Sequence, residues 1–414
     1  MSVVTLTDLN GVAKQVYGED LIDLKPTFKP LTDRIKFSSR DMLGDSYHVP
    51  AIVACNQGVT YAGPTEDGFT LNSPISMITK DASVKGSQIA LTTEIGYKTA
   101  ASLISKGPKA FTNGTKMIID DLLEQGAKRL EHSVLYGQSG LGVAVSSVNV
   151  SATETELTFS AASWAPGIWI GQANAPVQFY NGVTLIADVV VKRISDMSGR
   201  KLRVTGLAGQ ITALDAALPG TLDAFWLGAK DKEMLGIDKI ITTSGPLFGI
   251  DNSVYDLFKG QIYSAGSAQL TFDKATDALV NAILFGLDKD VVMLVSPRTW
   301  QDLNKDEAAL RRYDASFKPE AQKGNTGIKF QLMNVSVEIL AHNIVKEGEA
   351  FILDFADLLR VGAYDLSMNT PGHGGELFQQ VVGKTAFEMR AYTDQAIFAK
   401  RPARMTKITN IVNS

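Results

Sequence analysis

Four histidines, His48, His132, His342 and His373, are the side chains best suited to hold a metal or move a proton near neutral pH. They are far apart in the chain and none sits in an H-E-x-x-H pair, so only the fold could gather them. No glycine-rich loop is followed by Lys-Ser or Lys-Thr, which removes the usual phosphate cradle. Gly137-Gln138-Ser139-Gly140 has the outline of a nucleophile elbow, but position 141 is Leu where that motif needs Gly, and the segment closes a helical pattern instead of opening one. His373 lies in a Pro-Gly-His-Gly-Gly run that could form an oxyanion loop, yet no serine motif accompanies it. The adjacent acids Asp120-Asp121 and Glu66-Asp67 diverge on a helix or strand, so each pair reads as solvated charge rather than an acid/base couple. Trp164 and Trp169 flank Pro166-Gly167 and could stack on a sugar or fill the core of a small barrel; core packing fits aromatic rings so spaced in a strand-rich block. No catalytic residue, cofactor site or metal site is expected, and the protein is read as a non-enzyme.

Composition narrows the classes further. A length of 414 residues with 45% apolar residues supports two or three domains with real cores. A net charge of −4 argues against a protein that grips nucleic acid, which needs a concentrated excess of Lys and Arg. Cys55 stands alone, so no internal disulfide is possible and a reducing compartment fits. The start, MSVVTLTDLNG, lacks a basic region followed by an apolar stretch, and the apolar run at 278–287 is far too short for a membrane span; a soluble protein made inside a cell, with no membrane partner, is expected.

The elements that must position any site are clearer than the site. Residues 114–137 read as one long amphipathic helix of roughly 33 Å. Ile119, Leu122, Leu123, Leu130 and Val134, with Gly126 and Ala127, form its apolar stripe; Asp120, Asp121, Glu124, Lys128, Arg129 and Glu131 form a polar face. Asn113 or Thr115 can cap its start, and Gly137 is placed to end it in a left-handed turn. Residues 1–43 read as an arm: a short helix through Leu9, Val12 and Val16, prolines at 26 and 30, and one further helical turn at 30–35, with apolar residues that need a neighbouring subunit to cover them. Residues 44–95 alternate as two strand arms around the turn signals Gly63-Pro64, Glu66-Asp67-Gly68 and Ser73-Pro74. A two-stranded hairpin that long is marginal alone in water and should rest on something, either its own domain or another copy of the chain. A short helix is expected within 96–107, and a strand-rich block with a hairpin turn at Ser198-Gly199-Arg200 fills 147–227.

From residue 228 the pattern is mixed α/β. Thr271 or Asp273 starts a helix that stops near Gly286, Val291–Val295 is a buried strand, and Ser296-Pro297 caps a helix over 297–304. Strands follow at 335–339, 351–353 and 359–361, and a loop at 369–375. Residues 384–392 and 396–401 read as a hairpin turning at Thr393-Asp394-Gln395 and lying along the long helix.

Three stretches, LEHSVLYGQSGLG at 130–142, DKDVVMLVSPRTWQDL at 288–303 and TAFEMRAYTDQAIFAKRPARMTKI at 385–408, resemble major capsid proteins of tailed bacteriophages, the Hong Kong 97 fold. The order of arm, long hairpin, long helix, α/β domain and returning strands is similar to that family over almost the whole chain. The resemblance implies an α+β fold with an N-terminal arm (1–43), an extended hairpin (44–95), a peripheral domain with its spine helix (96–146), an inserted β-rich domain (147–227), an axial domain (228–376) and C-terminal peripheral strands (377–414). It implies pentamers and hexamers of one chain that build an icosahedral shell around a double-stranded DNA genome packaged without specific binding. Pro64, Glu66, Asp67 and Gly68 at the hairpin tip, with Leu9, Val12 and Val16 in the arm, are then the candidate subunit contacts. Because the chain begins directly with the arm, a separate scaffolding protein is expected in place of a fused segment; a portal and a decoration protein are the other implied partners, in a virion assembled in the host cytoplasm. The alternatives are an encapsulin-like nanocompartment shell and, from another class, a carbohydrate-binding module or enzyme using the inserted domain.

Overall fold

The computed structural model describes residues 29–39, 42–43, 46–98, 101, 108–311, 328–333, 335–368, 379–381 and 383–413. The arm enters as a single helical turn, α1 (Pro30–Arg34), then β1 (Phe37–Ser38) and β2 (Met42–Leu43). β3 (Ser46–Ala54) and β4 (Ile78–Lys85) are the antiparallel arms of the long hairpin, and β5 (Ser87–Gly96) leaves it for another sheet. α2 (Pro108–Tyr136) is the long helix, about 43 Å at ~1.5 Å per residue. It begins upstream of the expected start, so Asn113 and Thr115 lie inside it and do not cap it.

A closed barrel follows, made of β6 (Gly142–Ser151), β7 (Glu154–Phe159), β8 (Pro176–Asn181), β9 (Thr184–Asp196), β10 (Lys201–Thr205) and β11 (Leu222–Trp226) in the order β10-β7-β6-β11-β8-β9. Closure leaves no open sheet edge. α3 (Pro166–Trp169) and α4 (Ala208–Ala217) sit in its connections, and α5 (Ile237–Ile240) returns the chain to the end of α2. The hairpin read at 198–200 is present, β9 pairing with β10.

After the two-residue strands β12 (Pro246–Leu247) and β13 (Ile250–Asp251) come β14 (Gln261–Ala268), α6 (Phe272–Leu284), β15 (Val291–Val295), α7 (Pro297–Arg311), β16 (Ile328–Leu332), β17 (Val335–Ala341) and β18 (Ala350–Leu353). Of the two candidate caps for α6, Thr271 is the one used: its side chain accepts from Lys274 N. Ser296 caps α7 through Thr299 N at 3.2 Å, and that helix runs beyond its expected end at 304. The last strands are β19 (Leu358–Ser367), β20 (Gln379–Gln380), β21 (Ala386–Ala399) and β22 (Thr406–Ile411).

Three expectations about this last stretch are corrected. Residues 393–395 do not turn: β21 is one strand of 14 residues, hydrogen-bonded to β5 on one side and β19 on the other. Two ladder partners outweigh a turn-like tripeptide. Thr393 and Gln395 are buried in the strand, and Gly362 of β19 lets it pass, since a Cβ there would lie 2.0 Å from Asp394 O. β19, expected with the α/β domain, joins the sheet β1-β19-β21-β20 that also holds β5. β22, expected with the peripheral strands, lies in the six-stranded sheet β14-β22-β18-β15-β17-β16.

β21 lies along α2, as expected of residues 384–401, and β5 and β19, expected with the hairpin and the α/β domain, lie along it too. The amphipathic pattern of α2 does not extend to its C-terminal end, where every residue from Leu130 to Tyr136 is buried. One continuous apolar core runs from Leu31 and Ile35 through this end of α2, the barrel interior and Phe398; a second lies beneath α6 and the six-stranded sheet. The arm is corrected as well, because Leu31 and Ile35 are wholly covered by their own chain and need no neighbour for it. Leu9, Val12 and Val16, and the loop at 369–375, lie outside the described residues. Of the short helix expected within 96–107, residues 97, 98 and 101 are helical. Among the described residues no helix is long and apolar enough to cross a membrane.

α2 stops as expected near Gly137, for a different reason. The left-handed residue is Gln138, with φ 63°, and Gly137 is needed because the backbone of Met234 passes where a side chain would be. A Cβ on Gly137 would lie 2.1 Å from Met234 O and 2.6 Å from Ser133 O. Gly137→Ala is therefore expected to cost at least about 2–3 kcal/mol, beyond ordinary helix propensity, because backbone on both sides must move. Urea denaturation of the unassembled subunit checks this; a midpoint within error of wild type would contradict the close approach.

Candidate subunit-assembly surface

Among the described residues, the hairpin is a long continuous stretch that its own chain does not cover. From Cys55 to Asp81 every residue is exposed except Thr60, which is half-buried. Many of them are large and apolar: Tyr61 is 88% exposed, Leu71 73% and Ile75 60%, with Val59, Phe69 and Met77 beside them in sequence. Beyond the last ladder pair, Ala54 with Ile78, the two arms stay together through Gln57 N to Ile75 O (3.0 Å) and Asn72 N to Thr60 Oγ1 (2.8 Å). At the tip Glu66 N donates to Gly63 O at 3.1 Å, and Glu66 Oε2 accepts from Gly63 N at 3.0 Å. Pro64, Glu66, Asp67 and Gly68 are all exposed on this turn. Glu66 thus has a local task in closing the turn that the sequence did not reveal.

A buried polar node ties α1 to α2 and to the loop after β17. Glu131 Oε1 accepts from Leu31 N (2.8 Å) and Oε2 from Thr32 N (2.9 Å), so this carboxylate caps α1. His342 Nε2 lies 3.0 Å from the same Oε1, and Ile344 N donates to His342 Nδ1 at 3.3 Å. A carboxylate accepts, so His342 Nε2 donates to Glu131, while its Nδ1 also lies 3.1 Å from Asn343 Oδ1. The arm's exit is tied separately: Arg360 Nε donates to Ile35 O at 2.9 Å, its Nη1 to Asp365 Oδ1 at 2.9 Å and to Gln395 Oε1 at 3.2 Å. β1 pairs in parallel with β19 at this point.

A second polar cluster lies at the end of α2. Tyr136 Oη accepts from Lys346 N at 2.9 Å, and Lys346 Nζ donates to Gly140 O at 3.1 Å while lying 4.2 Å from the Tyr136 ring centre. Burial lowers the pKa of Lys346 against the opposing pull of Glu349 and Asp238. Lys407 bridges Asp238 and Glu349, and Ser139 Oγ donates to Asp238 Oδ2 at 2.6 Å. Burial raises the Asp238 carboxyl, but Lys407 and Lys346 outweigh it and leave its pKa below the usual value. The Ser139 hydroxyl of the elbow-like motif is therefore engaged by a carboxylate, with no histidine in the contact.

The histidines are not gathered. His48 Nδ1 pairs with Asp81 Oδ2 at 2.7 Å on the hairpin, His342 serves Glu131, and His373 lies outside the described residues. His132 is buried beside the Tyr136 and Trp226 rings, with no hydrogen-bond partner among the described residues for either ring nitrogen. Burial, with Lys346 and Arg129 nearby, pushes it down to about 3. Arg129 stacks 3.2 Å above the Trp226 ring and donates to Gln172 Oε1 at 3.1 Å; burial pulls it down to about 9. Trp164 and Trp169 are buried, 5.6 and 5.2 Å from the Phe159 ring, and offer no stacking face to a sugar. Asp120 and Asp121 are exposed on α2, whereas Arg129 and Glu131, read as the same solvated face, are drawn into contacts. The only sequence signal for Glu131 was its place one residue after Leu130 of the apolar stripe.

No protein-family model and no curated protein matches the sequence. Solved structures do match it. A chain of the Cyanophage A-1(L) capsid asymmetric unit aligns over 99% of this chain and 99% of its own, at TM-score 0.55 and 12% identity. The chain has the Hong Kong 97 fold. Looser matches include the Cyanophage P-SCSP1u capsid (TM-score 0.48, 8% identity, 98% and 95% covered) and an encapsulin complex of Synechococcus elongatus (TM-score 0.40, 9% identity, 99% and 96% covered). Within the Hong Kong 97 fold of this chain, the Glu131 node joins the arm, α2 and the loop after β17, and the hairpin is a long exposed segment among the described residues.

Two measurements probe this positioning machinery. Glu131→Ala leaves two backbone N–H groups and the His342 proton buried without an acceptor, and is expected to cost about 3 kcal/mol or more, with faster hydrogen exchange at residues 30–38. Unchanged exchange there would remove Glu131 from its role. For His132 the native pKa of about 3 lies below the unfolded value near 6.5, so the unfolded chain binds the extra proton and stability falls as pH drops through that window. The stability difference between wild type and His132→Leu is expected to shift against wild type by about 1.4 kcal/mol per pH unit below 6.5. A difference constant between pH 7 and 5 would mean that His132 titrates normally in the native state.

Proposed function

We propose that this chain is a major capsid protein, whose copies assemble as pentamers and hexamers into an icosahedral shell around double-stranded DNA, with no enzymatic role. The observation that carries the reading is the hairpin ribbon: residues 55–81 form a long exposed stretch that sets Tyr61, Phe69, Leu71, Ile75 and other large apolar side chains in solvent. Contiguous exposed apolar surface of that extent marks an interaction site, and a fold shared with a capsid subunit makes another copy of the chain the economical partner. The tip residues Pro64, Glu66, Asp67 and Gly68 are the proposed contacts on that side. In the arm the proposed contacts are Leu9, Val12 and Val16.

The division of labour proposed for the shell follows the architecture. The arm before residue 29 crosses to a neighbour, the ribbon lies over another, the six-stranded sheet faces the capsomer centre, and the sheet along α2 forms the periphery. The barrel is proposed as an addition that braces its own subunit, since residues 160–169 are hydrogen-bonded to the loop after β17: Gly167 N to Asn343 O (3.1 Å), Glu347 N to Trp164 O (2.9 Å) and Gly348 N to Ala162 O (3.0 Å). A net charge of −4 suits a container that must not hold its DNA. Separate scaffolding, portal and decoration proteins are the proposed partners, and the virion, assembled in the host cytoplasm, is the proposed location.

Negative-stain electron microscopy of the protein, expressed alone and with its neighbouring genes, tests the reading. Closed shells, or rings of five and six, are expected in at least one condition. Replacing residues 58–73 by a short turn is expected to leave a folded subunit that forms no shell. A uniform monomer of the intact chain under both conditions would overturn the proposal.

A further inference from the structure

We propose that the acceptor for the hairpin tip is a groove at the root of the same hairpin in a second copy of this chain. This rests on the assembly reading above and names its partner surface. The groove has a volume of about 330 Å³ and is lined by Ile52 of β3, by Leu257, by Phe398 near the end of β21, and by Lys400, Arg401 and Arg404 just beyond it. That is the lower end of the ~300–1,000 Å³ typical of binding clefts, room for one or two large side chains. Its floor is fixed in advance: the Phe398 ring packs 5.3 Å from Tyr47 and 5.0 Å from Phe248. Its rim is apolar at Ile52 and Leu257, which are 59% and 49% exposed, and basic on the opposite side.

The charges select the occupant. Arg401 is committed to Asp357 through contacts of 2.7 and 2.6 Å, and Arg404 reaches Asp288 at 3.1 Å. The exposed Lys400 side chain has no partner among the described residues. At the tip the reverse holds. Glu66 is occupied in closing the turn, whereas Asp67 is exposed with no partner among the described residues. Phe69 and Leu71 follow at spacings of two, so an extended arm sets both on one face with Asp67 at its end. An acidic end followed by two apolar side chains complements a groove with a basic edge and an apolar floor.

The tip cannot reach the groove of its own chain. β3 lines the groove with residues 49–53, and the Gly63–Glu66 turn lies ten residues further on, up to about 33 Å of extended chain at ~3.3 Å per residue. The cross-bonds at 57/75 and 60/72 keep the ribbon running outward. The acceptor is therefore on another copy, and tip-to-root contact is heterologous: each copy gives its tip to one neighbour and receives a tip from another. Such contacts close into rings where the rotation between copies closes, which is what capsomers require.

Single-cysteine variants in a Cys55→Ser background test this. Asp67→Cys and Lys400→Cys proteins are purified separately, mixed under assembly conditions and oxidised mildly, and the disulfide-linked peptides are identified by mass spectrometry. A 67-to-400 link is expected as the main heterodimer, roughly tenfold above a control mixture of Asp67→Cys with the barrel variant Val183→Cys, because only docked sites share a high effective concentration. Microscopy of the same samples separates the two readings. Shells or capsomers without the 67-to-400 link overturn this inference and leave the capsid reading standing, with another occupant in the groove. The link in small oligomers that never form shells supports the inference and counts against the capsid reading. Neither link nor particles overturns both.

Discussion

A carboxylate buried at 1% side-chain exposure is the constraint around which this subunit is arranged. Glu131 cannot be left without partners in that setting, since an unsatisfied buried charge costs several kcal/mol. From its place on α2 it takes partners from two distant parts of the chain: the first turn of α1 and, through His342, the loop after β17. Satisfying it draws Leu31 and Ile35 into the core, and Arg360 then secures the chain leaving α1. Together these contacts define where the arm ends and the hairpin begins. Further ties place the barrel, because the His342–Gly348 loop that meets Glu131 also bonds to residues 160–169.

Some of this was legible in the sequence because it rests on local chemistry. Thr271 and Ser296-Pro297 are caps whose hydrogen bonds span three residues, Val291–Val295 is an unbroken apolar run that a central strand requires, and the stripe on α2 repeats at helical spacing. What was not legible depends on partners distant in sequence. Thr393-Asp394-Gln395 has turn composition, and only the presence of β5 and β19 on either side, with Gly362 making room, turns it into a strand. Glu131 and Arg129 look like any solvated helix face until Thr32, Gln172 and Trp226 are brought to them. The hairpin tip was found from its turn signals, but the groove that complements it combines residues near 52, 257 and 400 and has no linear signature.

The energetic character of the two regions differs, and that difference bears on assembly. The core binds polar groups closely: Tyr136, Lys346, Asp238, Lys407 and Glu349 cluster beneath the end of α2, and Arg129 lies against Trp226. Burial disfavours the charged forms of Lys346, Arg129 and His132 alike. A region held by such networks resists partial rearrangement, because breaking one contact leaves another buried group unpaired. The ribbon has the opposite character, with few hydrogen bonds and much apolar surface in water.

A subunit with a rigid base and a compliant, adhesive ribbon suits an assembly in which the same contact must form at slightly different angles around rings of five and six. The rigid part preserves the geometry of each root, while the ribbon, tied to itself at 57/75, 60/72 and 63/66, can flex about the end of the β3–β4 ladder at Ala54 and Ile78. The free energy released on covering Tyr61, Phe69, Leu71 and Ile75 is then available to association and not to folding of the subunit. In the proposed shell each contact is modest, so that misplaced copies can leave, and repetition over the closed shell supplies the stability that no single contact has.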